Sequence, residues 1–435
     1  MAAPVVAAPT VTQPEAWLPG RGGRILIVLE NVPVSMDNRV AKQLRALLAN
    51  GYRVWVITQR HPGNEAYRRV PGLRLAEYPP PREPKSAVGY LAEYGYSLLV
   101  ASMWSIRILA RERIDIVQFC QPPDLYFVLA PLFKSARVRV VVDQRDLLPE
   151  LFVARYGHGR ARVLRVLELF ERFGQRAADE IFCVNAYLRN RALAASGLAG
   201  EHVTVVRNGP VSALVQQAVP EPGRKAGARY LCCWVGQMGR QDRLDLLVRS
   251  VHHLVHELGR TDCRFALIGD GESLAEARAL ARELELTEWV EFPGFLPQEE
   301  VFRYLATADL GVDASLQSEV SPVKAMEYMA FGLPFVAFDL PETRAIGDGA
   351  AVFAEPGDVA AHARAIDALL ADPQRRRRLG AGGLRRVRDE LAWDHQAAAY
   401  LRVLDRLCQG RPGTRRKGAV PHMFRRTGRV QSAAQ

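Results

Sequence analysis

Two glutamates in one short segment are suited by type and spacing to bind a hydroxylated ligand. Glu319 and Glu327 are separated by seven residues within residues 318–339, SEVSPVKAMEYMAFGLPFVAFD. Glu327 lies on a predicted helix beside Met326 and Met329, so we expect its carboxylate to be partly buried rather than fully solvated. There it can accept hydrogen bonds from two hydroxyls of a ribose. Glu319, in the preceding loop, can reach the hydroxyls of a sugar.

The start of the same helix predicts an anion site. Ser321-Pro322 is a helix start with proline at the first helical position. The backbone N–H groups of Val323 and Lys324 would then face the ligand together with the positive end of the helix dipole. Such an arrangement suits a diphosphate.

A second glycine-containing turn lies between a predicted strand and a predicted helix. Residues 268–272 have the sequence IGDGE, and Gly271 is the second of the two glycines. The full G-x-G-x-x-G spacing of a dinucleotide site is absent. Ligand contact by Gly271 and a tight turn without a ligand are both open interpretations.

The elements that must position these residues follow a repeated strand-loop-helix order, which predicts two doubly wound α/β halves joined near residue 210. In the first half, Asp37 is expected to cap a helix that ends at Gly51. Ligands of open α/β sheets bind outside the carboxyl ends of the strands, so a cleft between the two halves is the expected active site. The predicted strands cover residues 24–29, 52–57, 115–119, 138–142, 180–184, 203–206, 230–235, 264–268, 289–292, 309–312, 335–338 and 351–353.

Composition excludes several classes of protein. Hydrophobic residues make up 49% of the 435 residues and charged residues 24%, which is ordinary for globular domains and excludes wholesale disorder. The longest uncharged stretch of the best membrane candidate, residues 94–106, is too short to span a bilayer. The six cysteines show no CxxC spacing, so we expect buried thiols in a cytoplasmic protein, without disulfides or a zinc site.

The excess positive charge is concentrated at the carboxyl end. Residues 409–435 carry seven of the 58 Lys and Arg residues and no acidic residue, which leaves 51 basic against 47 acidic residues elsewhere. We expect this tail and the Ala/Pro-rich residues 1–22 to be disordered, and the latter not to be a signal peptide. The tail lacks the interleaved aromatic residues of a nucleic-acid stacking platform, so no nucleic-acid partner is expected.

The block around Glu327 resembles the donor site of the retaining glycosyltransferases of family 4, which have the two-Rossmann GT-B fold. The resemblance is carried by Glu-x7-Glu, by SPVK before EYMAFGLP, and by VVRNGP and the loop VVVDQRDLLPELF, and it extends from about residue 24 to residue 406. It implies a first, acceptor-binding domain at 23–210 and a second, donor-binding domain at 211–408. Members that build exopolysaccharide, capsule or O-antigen chains are the most similar.

The resemblance also implies roles for particular residues. Glu319 and Glu327 would be the catalytic pair, without a metal or cofactor, and the leaving phosphate would take the acceptor proton. The donor-binding residues would be Gly236, Gln237, Arg240, Arg243, Gly271, Phe295, Leu296, Ser321, Pro322, Val323, Lys324 and Glu327. The acceptor-side residues would be Asp37, Asn38, Arg39, Arg145 and Asp146.

Two departures from the family pattern stand out. Gln237 and Asp242 occupy the positions at which the commonest form of the family has an arginine and a lysine that neutralise the donor diphosphate. Arg145 occupies the place of a histidine that often precedes the aspartate of the acceptor loop. Arg145 could contact phosphate or acceptor, or it could pair with Asp143 or Asp146.

The expected reaction moves a sugar from a nucleoside-diphosphate sugar to a saccharide or lipid-linked acceptor. A nucleotide-sugar epimerase of related fold and a non-catalytic sugar-nucleotide-binding protein are the alternatives. Residues 90–109 are apolar and aromatic, which is typical of a buried core helix or of a surface that touches a lipid-linked acceptor. The basic tail suggests an anionic membrane surface as a partner, at the inner face of the membrane, or a solvated extension without function.

Overall fold

The computed structural model describes residue 8 and residues 22–30, 32–81, 87–156, 161–317 and 321–409. Within them the chain forms two parallel sheets, one after the other along the sequence. The strands of the first sheet are β1 Arg24–Val28, β2 Arg53–Gln59, β3 Leu73–Tyr78, β4 Ile116–Gln121, β5 Arg139–Gln144, β6 Glu180–Cys183 and β7 Val203–Val205. Those of the second are β8 Tyr230–Val235, β9 Cys263–Ile268, β10 Val290–Gly294, β11 Leu310–Val312, β12 Phe335–Phe338 and β13 Ala351–Ala354.

Helices connect nearly all of the strands and cover both faces of each sheet. In the first half they are α1 Asn38–Ala49, α2 Glu65–Arg68, α3 Ala87–Leu109, α4 Ala130–Ser135, α5 Leu148–Tyr156, α6 Ala161–Ala177, α7 Ala186–Ser196 and α8 Ser212–Val215. In the second half they are α9 Leu244–His252, α10 Leu274–Glu283, α11 Gln298–Thr307, α12 Val323–Ala330, α13 Pro341–Gly347, α14 Val359–Ala371, α15 Pro373–Arg386 and α16 Trp393–Gln409.

The strand orders confirm the predicted doubly wound α/β class. The first sheet runs β3-β2-β1-β4-β5-β6-β7 and the second runs β10-β9-β8-β11-β12-β13. In each sheet the direction of winding changes beside the first strand, between β1 and β4 or between β8 and β11. Because ligands of such sheets bind outside the carboxyl ends of the strands at this change of direction, the loops after β1, β4, β8 and β11, and the loop after β5 beside β4, are the ones expected to line a site.

Buried apolar strands hold each half together. Ile25 and Ile27 face the cluster that contains α1, while Leu26 and Val28 face the cluster that contains α3 and α4. Strands buried on both faces are expected in a parallel sheet covered by helices on either side. The predicted cap of α1 is confirmed, since the Asp37 carboxylate accepts the Val40 N–H at 2.7 Å.

The last helix returns from the second half to the first. Trp393, Tyr400 and Leu404 of α16 lie in the buried cluster of the first sheet, together with Ile25 and Ile27. The helix begins where Trp393 N–H donates to the carbonyl of Pro210 at 2.9 Å. The predicted limits 23–210 and 211–408 remain predictions, and they did not include this return of α16 to the first domain.

Two further sequence expectations concern membranes and cysteines. Among the residues that the structure describes, no helix is long and apolar enough to cross a bilayer. Five cysteines are buried thiols, and Cys408 on α16 is partly exposed; none forms a disulfide.

Candidate active site

Helix α12 places Glu327 at the edge of the second sheet. The opposite face of the helix is buried through Ala325, Met326 and Met329. Tyr328 fixes the helix to the sheet, because its hydroxyl donates to the carbonyl of Val312 at 3.2 Å and accepts the Val235 N–H at 3.2 Å. Glu327 itself is half-buried, as its position beside methionines predicted.

Glu327 also lies within electrostatic reach of the first half of the molecule. Burial raises the pKa of its carboxyl, and the charges of Lys42 on α1 and Lys324 on α12 oppose that shift. In turn, burial lowers the pKa of Lys42 to about 8, although Glu327 acts to raise it. Lys42 was not singled out from the sequence, where nothing distinguishes it from the other basic residues of its helix.

The start of α12 differs from the prediction in two respects: the helix begins at Val323, so that Pro322 is its N-cap and not its first helical residue, and the Val323 amide has an internal partner. Pro322 has φ −76° and ψ 74°, and the Val323 N–H donates to the carbonyl of Ser321 at 2.8 Å. This turn occupies the Val323 amide, which was predicted to face a phosphate. The Ser321 hydroxyl is buried and has no partner among the described residues. Glu319 lies outside the described residues, so its predicted role stays a prediction.

Lys324 is placed at the junction of β8, β11 and α12. Its Nζ donates to Asp242 Oδ1 at 2.9 Å and to Asp313 Oδ1 at 3.1 Å, and it lies 4.5 Å from the centroid of the Trp234 ring. Burial opposes the positive charge, but the two carboxylates outweigh it and raise the pKa of Lys324 above its usual value. Asp313 and Trp234 were not predicted; each ends or nearly ends an apolar strand, which is the pattern that could have identified them.

The predicted donor loop after β8 is held against the loop after β9. Met238 N–H donates to the carbonyl of Asp270 at 2.9 Å, and Ser273 N–H donates to the carbonyl of Met238 at 3.0 Å. A Cβ atom at Gly271 would lie 2.5 Å from the Met238 carbonyl oxygen, so glycine is required for this close approach. Gly271 therefore has a structural role, and ligand contact by Gly271 remains a prediction.

The other predicted donor residues surround this pair of loops. Gly236 lies beside Lys324, since a Cβ atom there would be 3.6 Å from Lys324 Cε. Gln237 and Arg240 are exposed, and Arg243 has a left-handed backbone with φ 50° and pairs with Asp245 at 2.8 Å. Phe295 is 41% exposed and Leu296 half-buried, both just after β10.

On the acceptor side, the structure places Arg39 in the core. Its guanidinium donates to Asp143 Oδ1 at 2.7 Å and Oδ2 at 3.0 Å, and to the carbonyl of Val206 at 2.8 Å. Arg39 is only 4% exposed, so the prediction of acceptor contact does not hold for this side chain in the structure. A buried ion pair with a residue 104 positions away explains why its type and position gave no indication of this role.

Arg145 and Asp37 belong to the same network. Arg145 donates through Nε to Asp143 at 3.2 Å and through Nη1 to Asp37, while its Nη2 is buried without a partner among the described residues. Pairing with Asp143, one of the two structural alternatives for Arg145, is thus observed. Asp143 is fully buried; burial raises its pKa, but Arg39 and Arg145 outweigh this and bring it to about 2.

Two predicted acceptor residues remain at the surface of this network. Asn38 is exposed at the first turn of α1, and Asp146 is partly exposed after β5. Burial raises the pKa of Asp146, while Arg145 and Arg39 oppose the shift. Asn38 and Asp146 are therefore the members of the predicted acceptor set whose side chains are available to a ligand.

Direct contacts join the two halves beside the site. Lys42 donates to Asn208 Oδ1 at 3.0 Å and to the carbonyl of Gly209 at 2.7 Å, in the segment that connects them. Arg207 pairs with Glu342 of α13 at 3.3 Å. In the part of the chain that the structure describes, no group of three or more His, Cys, Asp or Glu residues could hold a metal ion.

Comparison with known protein families assigns the chain to a class of enzymes. Residues 36–210 match the family described as Glycosyltransferase Family 4, and residues 229–372 match the family described as Glycosyl transferases group 1. The two matches cover most of the chain and correspond to its two sheets. The chain belongs to the family 4 glycosyltransferases of GT-B fold.

Individual relatives are more distant. The chain is 29% identical over 254 residues to α-maltose-1-phosphate synthase of Mycolicibacterium smegmatis, a match that covers 54% of this chain and 64% of that protein. It is 26% identical over 319 residues to the GDP-mannose-dependent α-(1-6)-phosphatidylinositol monomannoside mannosyltransferase of the same organism, covering 68% and 78%. Anabaena HepE, solved in complex with UDP-glucose, has a TM-score of 0.66 at 15% identity and covers 88% of this chain and 100% of HepE.

Proposed function

We propose that this chain transfers a sugar from a nucleoside-diphosphate sugar to an acceptor hydroxyl with retention of configuration, in the synthesis of a cell-surface polysaccharide. The observation that carries the proposal is the arrangement of Glu327 and Lys324 on α12. Both side chains lie on a helix that starts at the carboxyl edge of the second sheet, where a doubly wound domain binds nucleotides. Matched relatives that use GDP-mannose or bind UDP-glucose support a donor of this class.

The two charged residues of α12 and Glu319 in the preceding loop have distinct roles in this proposal. The Glu327 carboxylate accepts hydrogen bonds from the two ribose hydroxyls, and its partial burial strengthens them. Lys324 and the amides of the first turn that follow Val323, whose own N–H donates to Ser321, hold the diphosphate and stabilise the charge that develops as it leaves, which requires no metal. Glu319 binds hydroxyls of the donor sugar.

In the transfer step, the bond between the anomeric carbon and the diphosphate oxygen breaks. The acceptor oxygen forms its bond to that carbon on the same face, and its proton passes to the departing phosphate. Retention follows because attack and departure share a face. Asn38 and Asp146 are the residues of the first half that can contact the acceptor, since their side chains are available.

The acceptor is proposed to be saccharide or lipid-linked, at an anionic membrane surface. Apolar side chains on two helices of the first half are exposed: Leu99, Met103 and Ile106 on α3, and Val163, Val166, Leu169 and Phe173 on α6. Exposed arginines flank the α6 side chains, which is typical of a helix that lies on anionic lipid. The apolar α3 thus has one face in the core, through Ala101 and Ile108, and one face outside it.

Purified protein incubated with a panel of nucleotide sugars and saccharide acceptors tests the proposal. We expect release of nucleoside diphosphate that depends on acceptor, and a product whose anomeric proton shows the configuration of the donor by NMR. Conversion of the donor without acceptor would indicate an epimerase, and binding without turnover would indicate a non-catalytic protein. Glu299→Gln, an exposed change on α11, is the matched control for changes at Glu327.

Vesicle flotation tests whether the protein binds an anionic membrane surface. The basic tail beyond Cys408 and the exposed face of α6 are expected to contribute separately, because each charge near an anionic surface adds about 1 kcal/mol. Truncation after Cys408 should reduce binding to phosphatidylglycerol vesicles at low salt and leave transfer to a soluble acceptor unchanged. Equal binding by both forms would show that the tail is a solvated extension.

A further inference from the structure

Three groups surround the Lys324 ammonium in this structure. Asp242 lies 2.9 Å from Nζ, Asp313 lies 3.1 Å from it, and the Trp234 ring centroid is 4.5 Å away. A phosphate oxygen that binds Lys324 would compete with these groups for the three N–H donors of the ammonium.

The two carboxylates are held very differently. Asp313 directly follows β11 and is bonded to other elements: its backbone N–H donates to the carbonyl of Val336 on β12 at 2.9 Å, and its carbonyl accepts from His362 on α14 at 3.1 Å. Asp242 lies in a three-residue 3₁₀ turn and is bonded, apart from Lys324, to Gly239 of the same turn: its backbone N–H donates to the Gly239 carbonyl at 3.1 Å, and its Oδ2 accepts the Gly239 N–H at 3.2 Å. Asp242 is therefore the partner that can leave Lys324 with the least rearrangement.

Charge around Lys324 is unbalanced in favour of the carboxylates. One ammonium faces two carboxylates, and the cations of the adjacent loop do not restore the balance, because Arg243 pairs with Asp245 and the Arg240 side chain is exposed. A diphosphate would bring further negative charge to this point. Repulsion between a diphosphate bound at Lys324 and the Asp242 carboxylate would cost free energy unless Asp242 moved away.

We propose that Asp242 is an internal counter-ion that competes with the diphosphate of the donor for Lys324. When the diphosphate binds, it replaces Asp242 on Lys324; when the nucleoside diphosphate leaves after transfer, the Lys324–Asp242 pair forms again. Asp242 thereby weakens the binding of nucleotide and speeds its release. The inference rests on the proposed function, because it concerns the same donor site.

Asp242→Asn is the variant that tests this competition. Asparagine keeps an oxygen that can accept the Gly239 N–H, so the turn is preserved, while the charge that holds Lys324 is removed. The matched control is Asp309→Asn, which neutralises the 2.7 Å pair with Lys225 at the opposite end of β11. Calorimetry with UDP and with GDP, in EDTA and at low salt, gives the dissociation constants.

We expect Asp242→Asn to bind the nucleoside diphosphate about tenfold more tightly than the wild type, which is the size of one partly buried charge interaction. KM for the donor should fall, and product release should slow in stopped-flow displacement. Asp309→Asn should bind like the wild type. In a Lys324→Met background the effect of Asp242→Asn should disappear, because there is no ammonium left to compete for.

Three outcomes would overturn the inference. Unchanged or weaker binding by Asp242→Asn would show that the two anions do not compete. A gain of affinity that persists in the Lys324→Met background would show simple repulsion instead. Binding that requires Mg²⁺ and is lost in Asp242→Asn would make Asp242 a metal ligand.

The test also separates the inference from the proposed function. If the wild type binds UDP or GDP and Asp242→Asn binds more tightly, the competition is supported even when no sugar is transferred. If sugar is transferred but Asp242→Asn gains no affinity, the inference fails and the proposed function stands.

Discussion

Two clusters of charge, one at the carboxyl edge of each sheet, are built on opposite principles. In the first half, two guanidinium groups face two carboxylates: Arg39 and Arg145 bind Asp143, and Arg145 also binds Asp37. In the second half, one ammonium faces two carboxylates at Lys324. A network with equal numbers of opposite charges attracts a charged ligand less strongly than an unbalanced network, in which a loosely held member can exchange a partner.

Burial separates the clusters further. Asp143 and Arg39 are 0% and 4% exposed, and the network continues through Gln43, which donates to Asp143 at 3.0 Å. From there it runs through Gln118 to the Tyr400 hydroxyl on α16, so it links the returning helix to the acceptor loop. The first cluster therefore joins elements that are distant in sequence, and its Arg39–Asp143 pair is buried more deeply than the Lys324–Asp242 pair of the second, whose side chains are 15% and 16% exposed.

The largest effect that would separate the two clusters is expected from Asp143→Asn. The change leaves Arg39 buried without its counter-ion, and loss of one partner of a buried pair costs about 3–5 kcal/mol. Urea unfolding of the purified protein measures this loss. Glu112→Gln, which breaks the exposed pair with Arg74, should cost less than about 1 kcal/mol. Similar losses for both variants would contradict a structural role for the first cluster.

Glu327→Ala tests the helix that carries the second cluster, and its effect is expected on sugar transfer and not on stability. Loss of charge-assisted hydrogen bonds to ribose is worth about 1.5–3 kcal/mol per bond, so transfer should fall at least about tenfold. The unfolding midpoint should stay close to that of the wild type, because Glu327 is half-buried and lies opposite the face of α12 that Ala325 and Met329 bury. Donor affinity that is unchanged in calorimetry would refute the assignment.

The sequence predicted some elements of the two sheets and missed others, and the reasons are physical. Central strands such as β1 and β8 are continuous apolar runs and were predicted, whereas β3, Leu73–Tyr78, was missed. An edge strand is half exposed and mixes polar with apolar residues, so it lacks that pattern. Amphipathic α16 shows one apolar face, but the pattern does not say which sheet that face meets.

Charged site residues were harder to assign than the elements that carry them. Glu327 was placed correctly as partly buried because its neighbours Met326 and Met329 define the helix face. Arg39 was predicted to be an acceptor-side residue, and its pairing with Asp143 was not predicted because Asp143 is 104 residues away in the sequence. Ion pairing over such a distance is a property of the fold, and residue type alone does not reveal it.

The pKa shifts of Asp143 and Lys324 place their effects on stability in different pH ranges. The pKa of Asp143 is lowered to about 2 in the folded protein, so its stabilising effect is present above its unfolded pKa of about 4 and is lost as the pH falls towards 2. The loss is about 2 kcal/mol over this range. The raised pKa of Lys324 implies a contribution that is complete at neutral pH and declines only at strongly alkaline pH.

Urea unfolding between pH 5 and pH 2 measures this contribution. The wild type should lose more stability over that range than Asp143→Asn, which has no carboxyl left to titrate at that position. Parallel curves for the two proteins would show that the acid-labile group is another residue.

The smallest expected effect is that of a chelator. It tests whether the cluster around Lys324 binds a diphosphate directly or through a metal ion. Two carboxylates near Lys324 could hold a divalent cation if Lys324 moved away, and the diphosphate would then be bound through the metal. We expect instead that Lys324 and the start of α12 bind the diphosphate directly, so dialysis against EDTA should leave the transfer rate unchanged. Lost activity that returns with Mg²⁺ or Mn²⁺, but not with added salt of the same ionic strength, would show that the carboxylates serve a metal. The second cluster would then differ from the first in its ligand, and not only in its balance of charge.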